Sequence, residues 1–440
     1  MSSKTGYAFF LTCLSLLLYG NTRAAADYEK ITLRLYYEQK WDSLLMVGED
    51  AIEKGYDYYY MRMRVGEAAM YRQRYVRAAR HFEKALEFSK DDVAAMGLLY
   101  KSYRYSGRFA EAGWLRRKLP SGEDSGFGRI ERRPAVYLET GPSFSNHVDQ
   151  FEKYRQKDPG TYSEAYLNKN SQYFLAGTVI PLSYRLNVNV AAGLLNFNKN
   201  RRMDIAFVDS LSGDYSVLQY ETYISPSFSI SKKITISPAW RWVNVNLENP
   251  FTSADSLIQR FTGPSGNSSY NDYAVGGEIS FTAPRWTFTT GAWKIRVDKS
   301  ELIQYSGEFF YKPFGNLNLY SHTAVHYKIS TDTANFIVYQ MVGGRLFSNL
   351  WGEAYVSAGN LAGSAEHNAQ VLYNSFDNIT TRAGSRLIFS FSPYLSVFVR
   401  YQIFFREGTE LFFPFDRPGE IFYYPYINQS ITGGIKWNLH

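Results

Sequence analysis

The stretch SITGGIKWNLH, Ser430 to His440, sets Ile431, Gly433, Ile435, Trp437 and Leu439 on alternate positions. A period of two places these apolar or small residues on one face of a β-strand. Chain termini are usually frayed polar tails unless something ties them down. A strand here is therefore expected to be paired. Its partner is expected near Ala135 to Phe144, and that pairing would close a sheet and remove its open edges.

The same texture extends back to Pro134. AVYLETGPSFS, SQYFLAGTVIP, RLNVNVAAGLLNF, RWTFTTGAWKIRV, NLNLYSHTAVHYKI and LSVFVRYQIFFR each run about ten residues or more, enough for a membrane-spanning strand. Tight turns are expected at Pro181-Leu182-Ser183, Ser231-Lys232-Lys233, Ala283-Pro284-Arg285, Pro313-Phe314-Gly315, Ser348-Asn349 and Ser392-Pro393-Tyr394. Longer connections are expected at Asn146 to Asn170, Asn249 to Asn271 and Glu407 to Tyr426. Six hairpins plus a first and a last strand predict an antiparallel barrel of about fourteen strands over residues 134–440. Val371 to Thr380 reads as strand or as loop, which leaves the count open by about two. On this reading the apolar row of the last strand faces lipid, and Trp437 suits a membrane interface.

Four strands approaching tight turns share a pattern: GGEISF, SGEFFY, GGRLFS and GSRLIF. If Ile279, Phe281, Phe309, Tyr311, Leu346, Leu387 and Phe389 face lipid, parity turns Glu278, Glu308, Arg345 and Arg386 inward. Glu221, Glu353 and Arg400 are further candidates for the lumen. A charge on the lipid side costs roughly 2–4 kcal/mol near the midplane, which favours the inward assignment. Such charges form either a paired network that stiffens the lumen or a constriction that selects what passes. Basic and acidic residues from Pro134 onward number 25 and 24, so no strong ion preference follows.

Upstream, SGEDSGFGRIERRP (residues 121–134) reads as a linker at 121–133 with Pro134 marking the restart. Residues 27–120 have helical period, with Ala78, Phe82, Ala85 and Leu86 on one face. A shift of 34 residues brings YYMRMRVGEAAMYRQRYVRAARHFEKALEF onto LLYKSYRYSGRFAEAGWL. That period and the positions of Val65-Gly66, Leu99-Tyr100, Tyr75, Phe109, Ala78 and Ala112 resemble tetratricopeptide repeats. The resemblance implies a short α-solenoid packed through Gly66, Ala78, Phe82, Ala85, Tyr103, Gly107 and Ala112. KWDSLLMVGEDAIEKG aligns more weakly through Trp41, Ala51 and Ile52, as a degenerate copy, and Lys90 stands where a repeat usually closes on proline.

Between Arg62 and Lys118 there are 14 Lys/Arg and 6 Asp/Glu, a balance of +8. Arg72, Arg74, Arg77, Arg80, Arg104 and Arg108 form the candidate basic surface. It is either a solvated helix face or a groove for an anionic partner.

The mean hydropathy of −0.32 argues against a bundle of membrane helices, while 17% aromatic residues suits the interface belts of a membrane barrel. Lys4, the apolar run Tyr7 to Tyr19 and Ala24-Ala25-Ala26 read as a signal peptide over 1–26, too short for a spanning helix. The single cysteine, Cys13, lies within it, so a mature chain carries no disulfide or thiolate chemistry. An exported chain makes nucleic acid an implausible partner despite a pI near 9.0. No Ser-His-acid or metal constellation stands out, and no catalytic residue, metal or cofactor is expected. His322 and His326 share a strand face, but four strand residues span about 13 Å, too far for two ligands of one metal.

Repeats followed by a barrel resemble Gram-negative proteins that hang tetratricopeptide-like repeats in the periplasm below an outer-membrane barrel. Exopolysaccharide exporters, surface lipoprotein assembly modulators and YaiO-like barrels share that layout. The resemblance implies a translocation or assembly protein whose repeats capture a client, polysaccharide or lipoprotein, for export or surface display. A passive porin or structural barrel with a scaffolding repeat domain is the other reading. The closing strand also resembles the signal read by the barrel-assembly machinery, although that signal usually ends in an aromatic residue and this one ends Leu439-His440.

Overall fold

The computed structural model describes residues 27–119, 134–156, 160–206, 209–251, 267–330, 333–415 and 418–439. The expected leader, 1–26, and linker, 121–133, lie outside the described residues. The chain divides into two compact units, a helical one and a β-barrel, taken here in turn.

With residues Lys312–Leu317 grouped beside them, the helical unit comprises α1 (27–37), α2 (Trp41–Glu53), α3 (Tyr59–Tyr71), α4 (Tyr75–Phe88), α5 (Val93–Tyr105) and α6 (Phe109–Arg116). They form three successive hairpins. The Asp92 carboxylate caps α5 by accepting from the Ala95 N–H at 2.6 Å. Leu44, Met61, Val65 and Phe82 are fully buried between the hairpins, and small Ala78, Ala85 and Ala112 sit buried among them. Gly66 is a close-approach position, since a Cβ there would stand 2.6 Å from a ring carbon of Phe82. Tyr103 is buried and donates to Glu83 at 2.9 Å, while Gly107 (φ +74°) ends α5 in the left-handed region. The first hairpin was expected as a degenerate copy. It is a complete helix pair, because its turn at Gln39-Lys40 makes the same bonds as the later two despite its divergent sequence.

His81 is buried on α4. Arg62 Nη1 donates to its Nδ1 at 3.2 Å, which leaves Nε2–H directed at Glu49 Oε1, 3.4 Å away. Burial, and then the charges of Arg62, Arg77 and Arg80, push its pKa down to about 4, so it folds neutral.

The barrel begins with β1 (Ala135–Ser145), α7 (His147–Tyr154), β2 (Tyr162–Pro181), β3 (Leu186–Ile205), β4 (Asp209–Ser229) and β5 (Ile234–Leu247). Next come β6 (Ser268–Thr282), β7 (Trp286–Val297), β8 (Ser300–Tyr311), β9 (Leu319–Ile329), β10 (Ala334–Phe347) and β11 (Leu350–Ala358). The two-residue strands β12 (Ala365–Glu366) and β13 (Val371–Leu372) form a separate hairpin. Strands β14 (Asn378–Ser390), β15 (Leu395–Phe413) and β16 (Glu420–Asn438) complete the wall.

Fourteen antiparallel strands close into a barrel, with β16 paired to β1 from Ala135↔Asn438 to Phe144↔Gln429. Closure leaves no free sheet edge. Outward residues are the alternating apolar ones: Ile279, Leu346, Leu387, Val399, Ile431 and Trp437 are each about half exposed. Such a surface is the inverse of a soluble protein's.

Three expectations need correction. Val371 to Thr380 is neither one strand nor one loop: β13 ends at Leu372, residues 373–377 are loop, and β14 starts at Asn378. Glu407 to Tyr426 is mostly strand, with β15 and β16 running to Phe413 and from Glu420, and Asn146 to Asn170 holds α7 and the first part of β2. Polar lumenal residues alternating with aromatic ones looked like loop composition, yet the ladder continues through them. Finally, the connections that alternate with the expected tight turns are not all long. Val297 and Ser300 are joined through Asp298 and Lys299, both at positive φ as a two-residue hairpin requires.

Candidate functional site in the barrel lumen

The β11–β14 connection breaks the period-two pattern at Gly359, whose φ of +116° turns the chain away from the wall. Its N–H still reaches Thr380 O at 3.0 Å, and Leu361 N–H reaches Ile379 O at 2.9 Å, so the departure is anchored on β14. Leu361 is buried with Ile337 and Ile379. The β12–β13 hairpin follows, in register Ala365↔Leu372 and Glu366↔Val371. Its tip is His367, Asn368 and Ala369, all with φ between +53° and +59°. Three consecutive non-glycine residues in the left-handed region are costly and persist only where surroundings hold them.

The wall supplies that hold. Gln304 on β8 brackets Ala365, accepting from its N–H at 3.0 Å and donating to its carbonyl at 2.7 Å. Tyr223 on β4 donates to Asn368 O at 3.1 Å, and Asn368 Nδ2 donates to Ser225 Oγ at 2.8 Å. Arg241 on β5 donates to Gln370 O, and Lys328 on β9 donates to Asn360 O at 2.9 Å. On β14, Arg382 pairs with Glu366 at 2.8 Å, both side chains about 95% buried. Arg382 also donates to Ser357 Oγ at 2.9 Å, and Tyr373 donates to Glu366 at 2.9 Å. Ala365, Ala369 and Leu372 pack with Val243, Trp293 and Ile295 in one buried cluster. Strands on all sides of the ring therefore grip one inward-folded segment, 359–377. It lies across the lumen as a plug.

A second element sits toward the same end. The His147 ring of α7 stacks on Tyr426 at 3.7 Å and 5°. Its Nδ1 accepts from the Asn168 N–H at 3.0 Å, so Nε2–H donates to Tyr424 Oη at 2.8 Å. Phe151 is buried with Ala165, Leu167 and Tyr424. Asp377, where the plug rejoins the wall, accepts from Tyr426 at 2.6 Å and Asn168 at 2.9 Å. The two inserts thus share the Tyr426–Asn168 pair.

Glu278, Glu308, Arg345, Glu353, Arg386 and Arg400 form a belt at the end of the barrel where the six turns were expected, each two to five residues from a strand end, while Glu221 lies eight residues from the end of β4. Glu353 faces Arg386 at 3.7 Å and accepts from Tyr320 at 2.7 Å. Arg400 pairs with Glu139 at 3.1 Å, Glu308 with His322 at 3.0 Å, and the Arg345 guanidinium lies 5.2 Å from the Trp351 ring centre. Glu278 has Glu308 among its electrostatic neighbours. Glu221 forms a buried pair with Arg241, the residue that also holds the plug. Glu278 on β6 and Arg400 on β15 stand seven places apart in the ring of fourteen, on opposite walls.

In the helical unit the basic candidates do not share one fate. Arg77 pairs with Glu49, Arg108 with Glu111 and Glu83, and Arg72 with Asp42 at 2.9 Å. Arg74, Arg80 and Arg104 are exposed. Among the described residues, no group of three or more His, Cys, Asp and Glu is placed to hold a metal ion. The plug-holding residues Gln304, Glu366, Tyr373 and Arg382 were not anticipated from sequence. The available signal was loss of alternation over Gly359 to Asp377, a run rich in Gly, Ala and Asn.

No protein-family model matches the chain, and no curated protein matches it. Among solved structures, a Pseudomonas aeruginosa FadL homologue is 8% identical, covering 70% of this chain and 91% of its own, with a TM-score of 0.44. The Pseudomonas putida toluene transporter TodX is 6% identical over 70% of this chain and 90% of its own, TM-score 0.43. The translocator domain of autotransporter NalP from Neisseria meningitidis is 10% identical over 77% and 99%, TM-score 0.32.

Proposed function

We propose that this chain is a gated transport barrel of a Gram-negative outer membrane, non-enzymatic, with periplasmic tetratricopeptide-like repeats that engage a client for export or surface display. The outward apolar surface supports insertion in lipid, since a soluble barrel would not carry it. The observation that carries the gating is the plug, 359–377, latched by Glu366–Arg382 and by Gln304 to strands around the lumen. A passive pore needs no such occupant, so passage requires the segment to move. The belt containing Glu278, Glu308, Arg345, Glu353, Arg386 and Arg400 then acts as the charged constriction below it. The client class, polysaccharide or lipoprotein, is carried by the resemblance of the repeats, and the barrel-assembly machinery is the expected partner in biogenesis.

The test is planar-bilayer conductance of full-length protein, of a variant with 360–376 replaced by a short Gly-Ser turn, and of a variant lacking the repeats. Gated transport predicts that only the plug-deleted protein conducts steadily, and that client secretion or surface display needs the repeats. Steady conductance by the full-length protein, with display unaffected by repeat deletion, sinks the reading. The second reading, a structural barrel, is favoured by the pairing of Glu139–Arg400 and Glu221–Arg241. It predicts no conductance from any of the three.

A further inference from the structure

Three segments of the helical unit lie 34 residues apart: Tyr37-Glu38-Gln39-Lys40-Trp41, Tyr71-Arg72-Gln73-Arg74-Tyr75 and Tyr105-Ser106-Gly107-Arg108-Phe109. Each reads aromatic, any residue, Gln or Gly, cation, aromatic, and each is the turn inside one helical hairpin. Their backbones coincide. Gln39, Gln73 and Gly107 have φ of +55°, +57° and +74°. The N–H groups of Lys40, Arg74 and Arg108 donate to the carbonyls of Leu35, Ala69 and Tyr103, five residues back, at 2.9, 2.8 and 2.8 Å. Identical turns stacked by a repeat present their side chains along one edge.

The leading rings do not serve the core. Tyr37, Tyr71 and Tyr105 are 75%, 64% and 56% exposed, and Phe109 is 65% exposed. They are joined across hairpins instead: Trp41 stacks on Tyr71 at 4.3 Å and 5°, and Tyr75 meets Tyr105 at 5.0 Å. Exposed cations are interleaved with them, namely Lys40, Arg72, Arg74 and Arg104, the last lying 6.0 Å from the centre of the Phe109 ring. Lys40 and Arg72 are matched there by Glu38 and Asp42, both at 2.9 Å, so the surplus charge of the edge lies on Arg74 and Arg104, which form no ion pair among the described residues.

A solvated helix edge would not repeat large rings in register at this exposure. Rings with one apolar and one polar end, set between long cationic side chains, match the chemistry of a phospholipid headgroup layer. The fourteen residues between Leu119 and Pro134 reach at most about 50 Å. If the barrel is in a membrane, the edge stays within reach of that surface, and weak headgroup affinity is enough at such effective concentration.

We infer that this three-turn aromatic–cationic edge is a membrane-contact surface that seats the helical unit on phospholipid headgroups, with a preference for anionic lipid. The inference rests on the proposed membrane barrel.

The single cysteine, Cys13, lies in the expected leader, so single labels need at most Cys13→Ser beside them. An environment-sensitive fluorophore is placed by Tyr37→Cys or Tyr105→Cys on the edge, and by Tyr60→Cys or Phe88→Cys at exposed positions of the opposite hairpin ends. Leu387→Cys, on the outward barrel face, serves as reference. Full-length protein is reconstituted in phosphatidylethanolamine–phosphatidylglycerol vesicles with nitroxide on headgroups or on acyl chains. Headgroup nitroxide should quench positions 37 and 105 severalfold more than 60 and 88. That excess should fall when phosphatidylglycerol is omitted or when Arg72, Arg74 and Arg104 are changed to Gln. Equal quenching at all four positions overturns the inference. So does a response at 37 and 105 only when soluble alginate is added, which would make the edge a polymer-binding surface. Quenching of position 387 by acyl-chain nitroxide separates the two layers of argument: if it fails, the membrane barrel is refuted, and if it alone succeeds, only the edge is.

Discussion

Glu366→Gln is the sharpest perturbation of the plug. The carboxylate accepts from Tyr373 and pairs with Arg382, and both partners of the ion pair are about 95% buried. Removing its charge leaves the Arg382 guanidinium enclosed with only neutral acceptors such as Ser357 Oγ. Stranding one member of a buried pair costs about 3–5 kcal/mol. Glu366 travels with the plug while Arg382 stays on β14, so that cost falls on the seated state and is relieved when the segment leaves. At 1.36 kcal/mol per factor of ten, the open-to-closed ratio should rise roughly 10²- to 5 × 10³-fold. Single-channel recording in planar bilayers reads it as a matching rise in open probability. The paired change Glu366→Leu with Arg382→Met removes both charges at similar volume, and buried pairs replaced in that way are often neutral or better. It should close the barrel again. An open probability for Glu366→Gln equal to the parent's, or a double variant as open as the single, would refute the latch.

The remaining predictions concern other parts of the chain. His81 is neutral when folded, with a pKa of about 4, against an ordinary value near 6.5, so between those values the unfolded chain binds one more proton. Stability of the helical unit is therefore fully present above pH 6.5 and falls as pH drops toward 4, by about 3 kcal/mol in total. Hydrogen exchange over 59–88 at pH 7 and 4.5 should show this, and His81→Gln should flatten it; an unchanged slope in that variant counts against the assignment. Gly66→Ala forces a methyl group against Phe82 and should cost about 1–3 kcal/mol, read as a lower Tm and partly restored by Phe82→Leu. In the plug-deleted protein, Arg386→Glu puts a second acid beside Glu353 and should raise cation over anion permeability in reversal-potential measurements. Unchanged selectivity with a lowered melting temperature would assign the belt a structural role only.

Much of the barrel was legible because strand parity is a local property. Ile279 and Glu278 are neighbours in sequence and must point to opposite faces, so one outward assignment orders the whole strand. Five of the six turns were legible for the same reason, since Pro, Gly, Ser and Asn restrict their own backbone, whereas Pro313-Phe314-Gly315 lies in a seven-residue connection, 312–318. The helical hairpins followed from a 34-residue period, although Trp41 and its divergent neighbours looked degenerate until the turn bonds showed the first hairpin to be complete. The aromatic edge was written in the sequence three times over. Its exposure was not, because an aromatic residue beside a turn fits a core as well as a surface.

By itself, then, the sequence determined a run of helices, a change of period at Pro134, and strands whose last member carries Ile431, Ile435 and Trp437 on one side. Only the tertiary structure decided that this last strand meets β1, and that residues 359–377 turn into the lumen. Both depend on contacts between residues far apart in the chain: Ala135 with Asn438, Gln304 with Ala365, Tyr223 with Asn368. Local composition marks 359–377 as irregular, whereas the direction in which it folds is set by hydrogen-bonding groups that separate strands bring to one cavity.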